Sequence, residues 1–181
     1  RNVNVEYDWW DFLYEDFIQD LAAIGITVDT RPCRLMGGKI VQEPQIFFSG
    51  FWNQGDGACF EGRVEDWPKL LTAMEETRFI PESEGWRFTC TARGNYCHSG
   101  CMQFDCEMDL EPNPYDADDQ MLQHAAWKLG RATEDDVGKL VHALEAKFRE
   151  LADDLYKKLE EEYDHQTSDE QVIDWILEHV D

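Results

Sequence analysis

Residues 45–64 read QIFFSGFWNQGDGACFEGRV, and the fold is decided by how this stretch is parsed. Gln45 to Gly50 is apolar and β-prone, so it reads as a buried strand. Ala58 to Val64 reads as its antiparallel partner. Between them, Gly50 to Gly57 is rich in Gly, Asn and Asp, which tolerate the positive φ angles of tight turns. The stretch therefore predicts a hairpin. A second hairpin is predicted downstream. Trp86 to Arg93 alternates, with Trp86, Phe88 and Cys90 on one face. Gly94 and Asn95 supply the turn. The return strand, about Tyr96 to Leu110, puts Met102, Phe104, Cys106 and Met108 on one face, and Pro112 and Pro114 end it. Asp66 and Pro68 open a short helix running to about Thr77. Upstream, Ile26 to Arg31 reads as a short strand and Gly37-Gly38 as a turn.

Helices are predicted on both sides of these hairpins. Asp8 can cap a helix to about Ile24, with Trp9, Leu13, Phe17 and Leu21 on one face and Gly25 as its stop. Asp116 to Leu129 reads as a helix closed by Gly130. Thr133 and Asp136 resemble a capping box at the start of a long helix carrying Val137, Val141, Leu144, Phe148, Leu151 and Leu155. The 3, 4, 3, 4 spacing from Val141 to Leu155 makes a narrow apolar seam, expected to pack on the sheet or to pair with another copy as a homodimer through 137–155. Ser168 and Gln171 form an S-x-x-Q box before a last helix with Val172, Ile173, Trp175, Ile176 and Val180. The expected fold class is α+β: a small antiparallel sheet of two hairpins packed against N-terminal and C-terminal helices. Residues 1–181 are read as a single domain, its helical part beginning at about 115. The chain starts with Arg1 rather than Met, so residues upstream of it are expected.

Composition narrows the function classes. The formal net charge is −23, from 39 acids against 16 Lys and Arg in 181 residues. Residues 105–181 carry 23 acids against 7 bases, so the C-terminal part sets up the strongest field. Such a chain repels nucleic acid and anionic membranes and attracts basic surfaces. Its 43% apolar and 13% aromatic content separates it from disordered acidic tails. No apolar run approaches the roughly 20 residues of a membrane span. The six cysteines, with no secretion signal, are expected to be reduced thiols in a cytoplasm.

Few residues carry recognisable chemistry. Cys90, Cys97, His98, Cys101 and Cys106 follow C-x6-C-H-x2-C-x4-C, without the C-x-x-C pair of common zinc sites. Zinc on Cys97, His98, Cys101 and Cys106 is the alternative to plain core thiols. No G-x-S-x-G elbow is present, and Gly50 to Gly57 lacks the Lys and Gly spacing of a phosphate loop. Asp56, Asp116, Asp118 and Asp119 match no EF-hand loop. Two adjacent aromatic pairs, Trp9-Trp10 and Phe51-Trp52, could close the core or stand as recognition hot spots.

Two stretches taken together carry a resemblance: Tyr7-Asp8-Trp9-Trp10 followed by Tyr14-Glu15-Asp16, and the run from Phe48 to Gly62, FSGFWNQGDGACFEG. They are similar to motifs of a family of acidic phage, prophage and bacterial proteins. Its members are usually called hypothetical or labelled "antitoxin of a toxin–antitoxin stability system". Asn53 stands where that family commonly has Ser. The segment from Gly94 to His98 and the YDHQTSDE segment from Tyr163 to Glu170 also look similar. The resemblance implies a mobile-element setting and a neutralising role. It brings no catalytic residues.

The expected function is a non-catalytic acidic binding protein of a phage or mobile element. It would neutralise a basic, nucleic-acid-binding protein such as a toxin or defence nuclease, as an antitoxin-like or anti-defence inhibitor or a DNA mimic. The expected binding residues are Trp10, Trp52, Asn53, Gln54, Asp56, Asp116, Asp118, Asp119, Asp153, Asp154, Glu160, Glu161 and Glu162. No cofactor, no direct nucleic acid and no membrane are expected, and the setting is the bacterial cytoplasm. The alternatives are a metal protein or enzyme built on the cysteine–histidine cluster and a self-associating structural protein.

Overall fold

A computed structural model describes residues 10–35, 37–94, 96–108, 132–171, 173 and 177. The expected helix at Asp116 to Leu129 lies outside the described residues, as do Asp8, Trp9 and most of the last expected helix. The architecture is α+β, with an N-terminal helix, small antiparallel sheets and a long C-terminal helix packed on the strands.

Helix α1 spans Asp11–Ala23 and buries Phe17 and Leu21, four residues apart and so on one face. Six short strands follow: β1 (Ile26–Val28), β2 (Thr30–Arg34), β3 (Ile40–Pro44), β4 (Ile46–Phe48), β5 (Ala58–Phe60) and β6 (Gly62–Val64). They form three antiparallel pairs, β1 with β6, β2 with β3 and β4 with β5. A single residue separates the members of each consecutive couple, and those three residues meet. Asp29 N–H donates to the Glu61 carbonyl (2.8 Å), Gln45 N–H to that of Asp29 (2.8 Å), and Glu61 N–H to that of Gln45 (2.9 Å). Three ladders thus radiate from one closed ring of backbone bonds, which satisfies groups that a break in a strand would leave unpaired.

This junction corrects the first predicted hairpin. Only Ala58 to Phe60 pairs with the strand after Gln45, whereas Gly62 to Val64 joins β1. Gly62 is needed at the switch, because a Cβ there would lie 2.5 Å from the Thr27 carbonyl oxygen. The β2–β3 ribbon is a further correction. Residues 31–44 gave only the Gly37-Gly38 turn, yet they form a five-residue ladder that contributes no buried residue.

Helix α2 (Trp67–Ala73) begins at Asp66, whose carboxylate accepts the Lys69 N–H at 3.1 Å. It ends four residues short of the predicted Thr77, where a 3₁₀ turn begins (Thr77–Glu82). Strands β7 (Arg87–Ala92) and β8 (Met102–Glu107) complete the four-stranded sheet, in the order β1-β6-β7-β8. The return strand is shorter than expected: residues 99–101 form a 3₁₀ turn, so Cys97, His98 and Cys101 are not strand residues.

Helix α3 (Glu134–Gln166) opens with the expected box, Thr133 and Asp136 bonding reciprocally. It buries Val137, Leu140, Leu144, Phe148, Ala152, Leu155 and Leu159 against the strands of its own chain. Val141 and Leu151 flank this stripe, half-buried. Gln171 N–H donates to the Ser168 hydroxyl at 3.4 Å, half of the second expected box.

The two helix-start carboxylates predict a pH response. Backbone and side-chain hydrogen bonds from Lys69 hold Asp66 below its ordinary pKa, and those from Thr133 hold Asp136 below its own. A depressed folded pKa contributes stability above the unfolded value of 3.8, and that contribution is lost as pH falls through the folded value. Asp66→Asn keeps a capping side chain but removes the titration. Urea midpoints measured between pH 7 and pH 2.5 are expected to fall less steeply below pH 4 for this variant than for the native chain. Parallel curves would contradict the assignment.

Candidate functional site

The loop from Gly50 to Gly57 joins β4 to β5 and rests against α3. Phe51 is buried between Phe48 (ring centroids 4.9 Å), Tyr156 (5.6 Å) and Tyr163 (5.0 Å). Trp52 comes next and turns outward. It is 71% exposed, with its ring against Phe51 (5.5 Å, tilted) and edge-on to Tyr163 (5.3 Å, rings at 70°). Its φ of 70° is unusual for a bulky residue, and such strain persists only where the surroundings impose it. The Asp56 carboxylate closes the turn by accepting the Asn53 N–H at 2.8 Å, while Asp56 N–H donates to the Asn53 carbonyl at 3.1 Å. Asn53 and Gln54 are exposed at its tip.

On the other side the loop packs against residues 96–101. A Cβ on Gly57 would lie 2.5 Å from His98 Cβ, and one on Gly55 would intrude on the Tyr96 ring. Tyr96 is 59% exposed. The loop thus lies between two tyrosine-bearing elements, α3 and the turn before β8.

Helix geometry sorts the acids of α3. Asp153, Tyr156, Glu160 and Tyr163 follow 3, 4, 3 spacing along one side of α3, and Tyr156 and Tyr163 are the members that touch the loop. Burial first, then the Glu160 and Asp56 carboxylates, push the Tyr156 hydroxyl above its ordinary pKa, with the Trp52 amide opposing. Asp154 and Glu161 occupy an adjacent row, and Asp154 is paired with Lys157 at 3.6 Å. Glu162 lies on the opposite flank and accepts from Gln166 at 2.6 Å. The expected acids of this helix are therefore spread over several rows.

Trp10 meets the site from its far end, with its ring 6.2 Å from Phe48. The structure thus brings together Trp10, Trp52, Asn53, Gln54, Asp56 and Glu160, whereas Asp153 lies about two turns further up α3 from Glu160. Asp116, Asp118 and Asp119 lie outside the described residues. Tyr156, Tyr163 and Tyr96, which flank the loop, were not among the expected site residues, although the spacing of the two α3 tyrosines with Glu160 could have pointed to the first two.

The cysteine–histidine cluster is not assembled as the alternative required. Cys106 stands on β8 opposite Phe88, away from the 3₁₀ turn. Among the described residues no group of three or more His, Cys, Asp or Glu side chains is set to hold a metal ion. Cys101 Sγ does lie 3.3 Å from His98 Nε2. His98 Nδ1, however, accepts the Gly100 N–H at 3.1 Å. A neutral imidazole accepting at Nδ1 carries its proton on Nε2. Nε2 is then a donor toward sulfur and has no lone pair with which to deprotonate the thiol. Burial pushes the neighbouring Cys59 up to about 12, and Cys90 is raised mainly by burial as well, so neither is a ready thiolate.

An open polar recess of about 500 Å³ lies at the strand junction, lined by Asp29, Arg31, Gln45, Glu61 and Arg63 among others. Its charges are largely committed: Arg63 pairs with Asp29 and Glu65, and a Glu61 carboxylate oxygen accepts the Ala92 N–H. Among the described residues no helix is long and apolar enough to cross a membrane.

A family model described as a domain of unknown function (DUF8835) matches residues 9–169. No curated protein and no solved structure matches the chain.

Proposed function

The chain belongs to that family of unknown function, and we propose that it is a non-catalytic acidic binding protein that neutralises a basic, nucleic-acid-binding protein partner. The observation carrying this reading is the meeting of an exposed aromatic with uncompensated charge. Trp52 stands out of its loop against Tyr163 of α3, the helix that also carries Asp153, Glu160, Glu161 and Asp164. Among the described residues no Lys or Arg pairs with any of these four acids or with Asp56, although Glu145, Glu150 and Asp154 on the same helix all have cations. Paired acids are mostly neutralised, whereas these acids leave net negative charge on the helix and loop that hold the aromatic. Exposed Trp and Tyr beside like-signed charge suit a protein interface, with the aromatics as anchors and the field steering approach.

The net charge of −23 supports a partner that normally holds nucleic acid, since its basic surface would meet a substitute for phosphates. The resemblance to acidic phage and prophage proteins labelled antitoxins supports the setting: a mobile element acting inside a bacterial host, against a toxin or a defence nuclease.

The test is capture from nuclease-treated host lysate at low and high salt. A basic nucleic-acid-binding protein is expected to be retained at about 50 mM salt. Its affinity should fall about tenfold or more by 200 mM, in line with multi-charge interfaces. The captured protein should also lose its nucleic-acid binding when this chain is added. Affinity unchanged by salt, or nucleic-acid binding unaffected by the chain, would refute the reading.

A further inference from the structure

We infer that Trp52, Tyr163, Asp56 and Glu160 form a receiving site for an arginine side chain of the protein partner. This rests on the acidic-surface reading above and names what that surface grips.

Trp52 offers an indole 71% exposed, backed at 5.3 Å by the Tyr163 ring meeting it edge-on. Tryptophan is the aromatic that best attracts a cation over its face. Asp56 is fixed beside it by its bond to the Asn53 N–H at 2.8 Å, and Glu160 projects from α3 one turn before Tyr163. Both carboxylates also reach the field of the Tyr156 hydroxyl, which places them on the same side as the aromatics. Neither pairs with a cation among the described residues. In this acidic chain the missing counter-charge is expected from outside.

A guanidinium satisfies the arrangement better than an ammonium. It is planar and weakly hydrated, so it can lie on the indole while its N–H groups fork to a carboxylate. An ammonium would keep its water or take one carboxylate alone.

Two probes of equal charge test this: an octa-arginine and an octa-lysine peptide, each titrated against the full chain at low salt. Arginine is expected to bind about two- to fivefold more tightly, the size of an exposed cation–π contact. Trp52→Gly should erase that preference while leaving charge-driven binding of both peptides. Glycine is at ease at positive φ, so this variant is expected to fold at least as well as the native chain. Equal binding of both peptides to the native chain would overturn the site and leave the acidic-surface reading standing. A preference surviving in Trp52→Gly would also overturn it. Binding of neither peptide would remove both readings.

Discussion

Phe148→Ala is expected to cost about 3–5 kcal/mol of folding stability, read as a lower urea midpoint with an unchanged slope. Phe148 is fully buried on α3, stacked on Phe60 at 5.7 Å, with Phe88 at 5.1 Å and Phe104 at 6.1 Å around it. Phe60 belongs to β5, Phe88 to β7 and Phe104 to β8, so one ring closes the helix over three strands from both hairpin regions. Phe17 of α1 adds an edge contact to Phe60 at 5.3 Å. Removing the ring leaves a cavity that three separate elements would have to shift to fill, and cavities of that kind are the costly ones. A domain of this size has only about 5–15 kcal/mol to lose. Phe148→Leu should cost far less, since most of the volume is kept. A loss below about 1 kcal/mol for the alanine variant would mean that α3 does not cover this sheet.

How far the sequence could be read follows from the same residues. Phe148 was legible because it recurs with Leu144 and Leu155 at helical spacing, and a periodic signal that long has one explanation. The Thr133–Asp136 box and the Asp66 cap were legible because their chemistry is local. The strand junction was not. Asp29, Gln45 and Glu61 are polar residues inside otherwise strand-like runs, and nothing local distinguishes a partner switch from a continued hairpin. Their three backbone bonds join segments far apart in sequence. The β2–β3 ribbon escaped for a different reason: it buries nothing, so no alternation marks it.

The residues of the proposed site divide in the same way. Trp52 stood out because a tryptophan in a glycine-rich loop is conspicuous. Tyr156 and Tyr163 were passed over because they lie just beside the apolar seam of α3, where a half-buried tyrosine looks like the margin of a core. Their place beside Trp52 is a tertiary fact. The acids could be counted from sequence, but which of them are neutralised depends on where Lys139, Lys147, Arg149, Lys157 and Lys158 reach.

Gly57→Ala separates the two roles that the shared loop motif can play. Gly57 needs no unusual φ, so alanine is conformationally allowed and the whole effect is steric. The added methyl would lie 2.5 Å from His98 Cβ and 2.8 Å from the Cys97 carbonyl oxygen. One of those atoms is backbone and the other is bound directly to it, so neither can swing aside as the end of a flexible side chain could. The 3₁₀ turn must move away from the loop, carrying the Cys101–His98 pair with it. A loss of about 1–3 kcal/mol is expected, the usual cost of overfilling a packed contact. Trp52→Gly, five residues earlier, should leave stability intact or raise it. If the motif serves the fold through its glycines and the partner through its tryptophan, stability and arginine preference will respond to different variants. A destabilised Trp52→Gly together with a stable Gly57→Ala would reverse that division and make the tryptophan a structural residue.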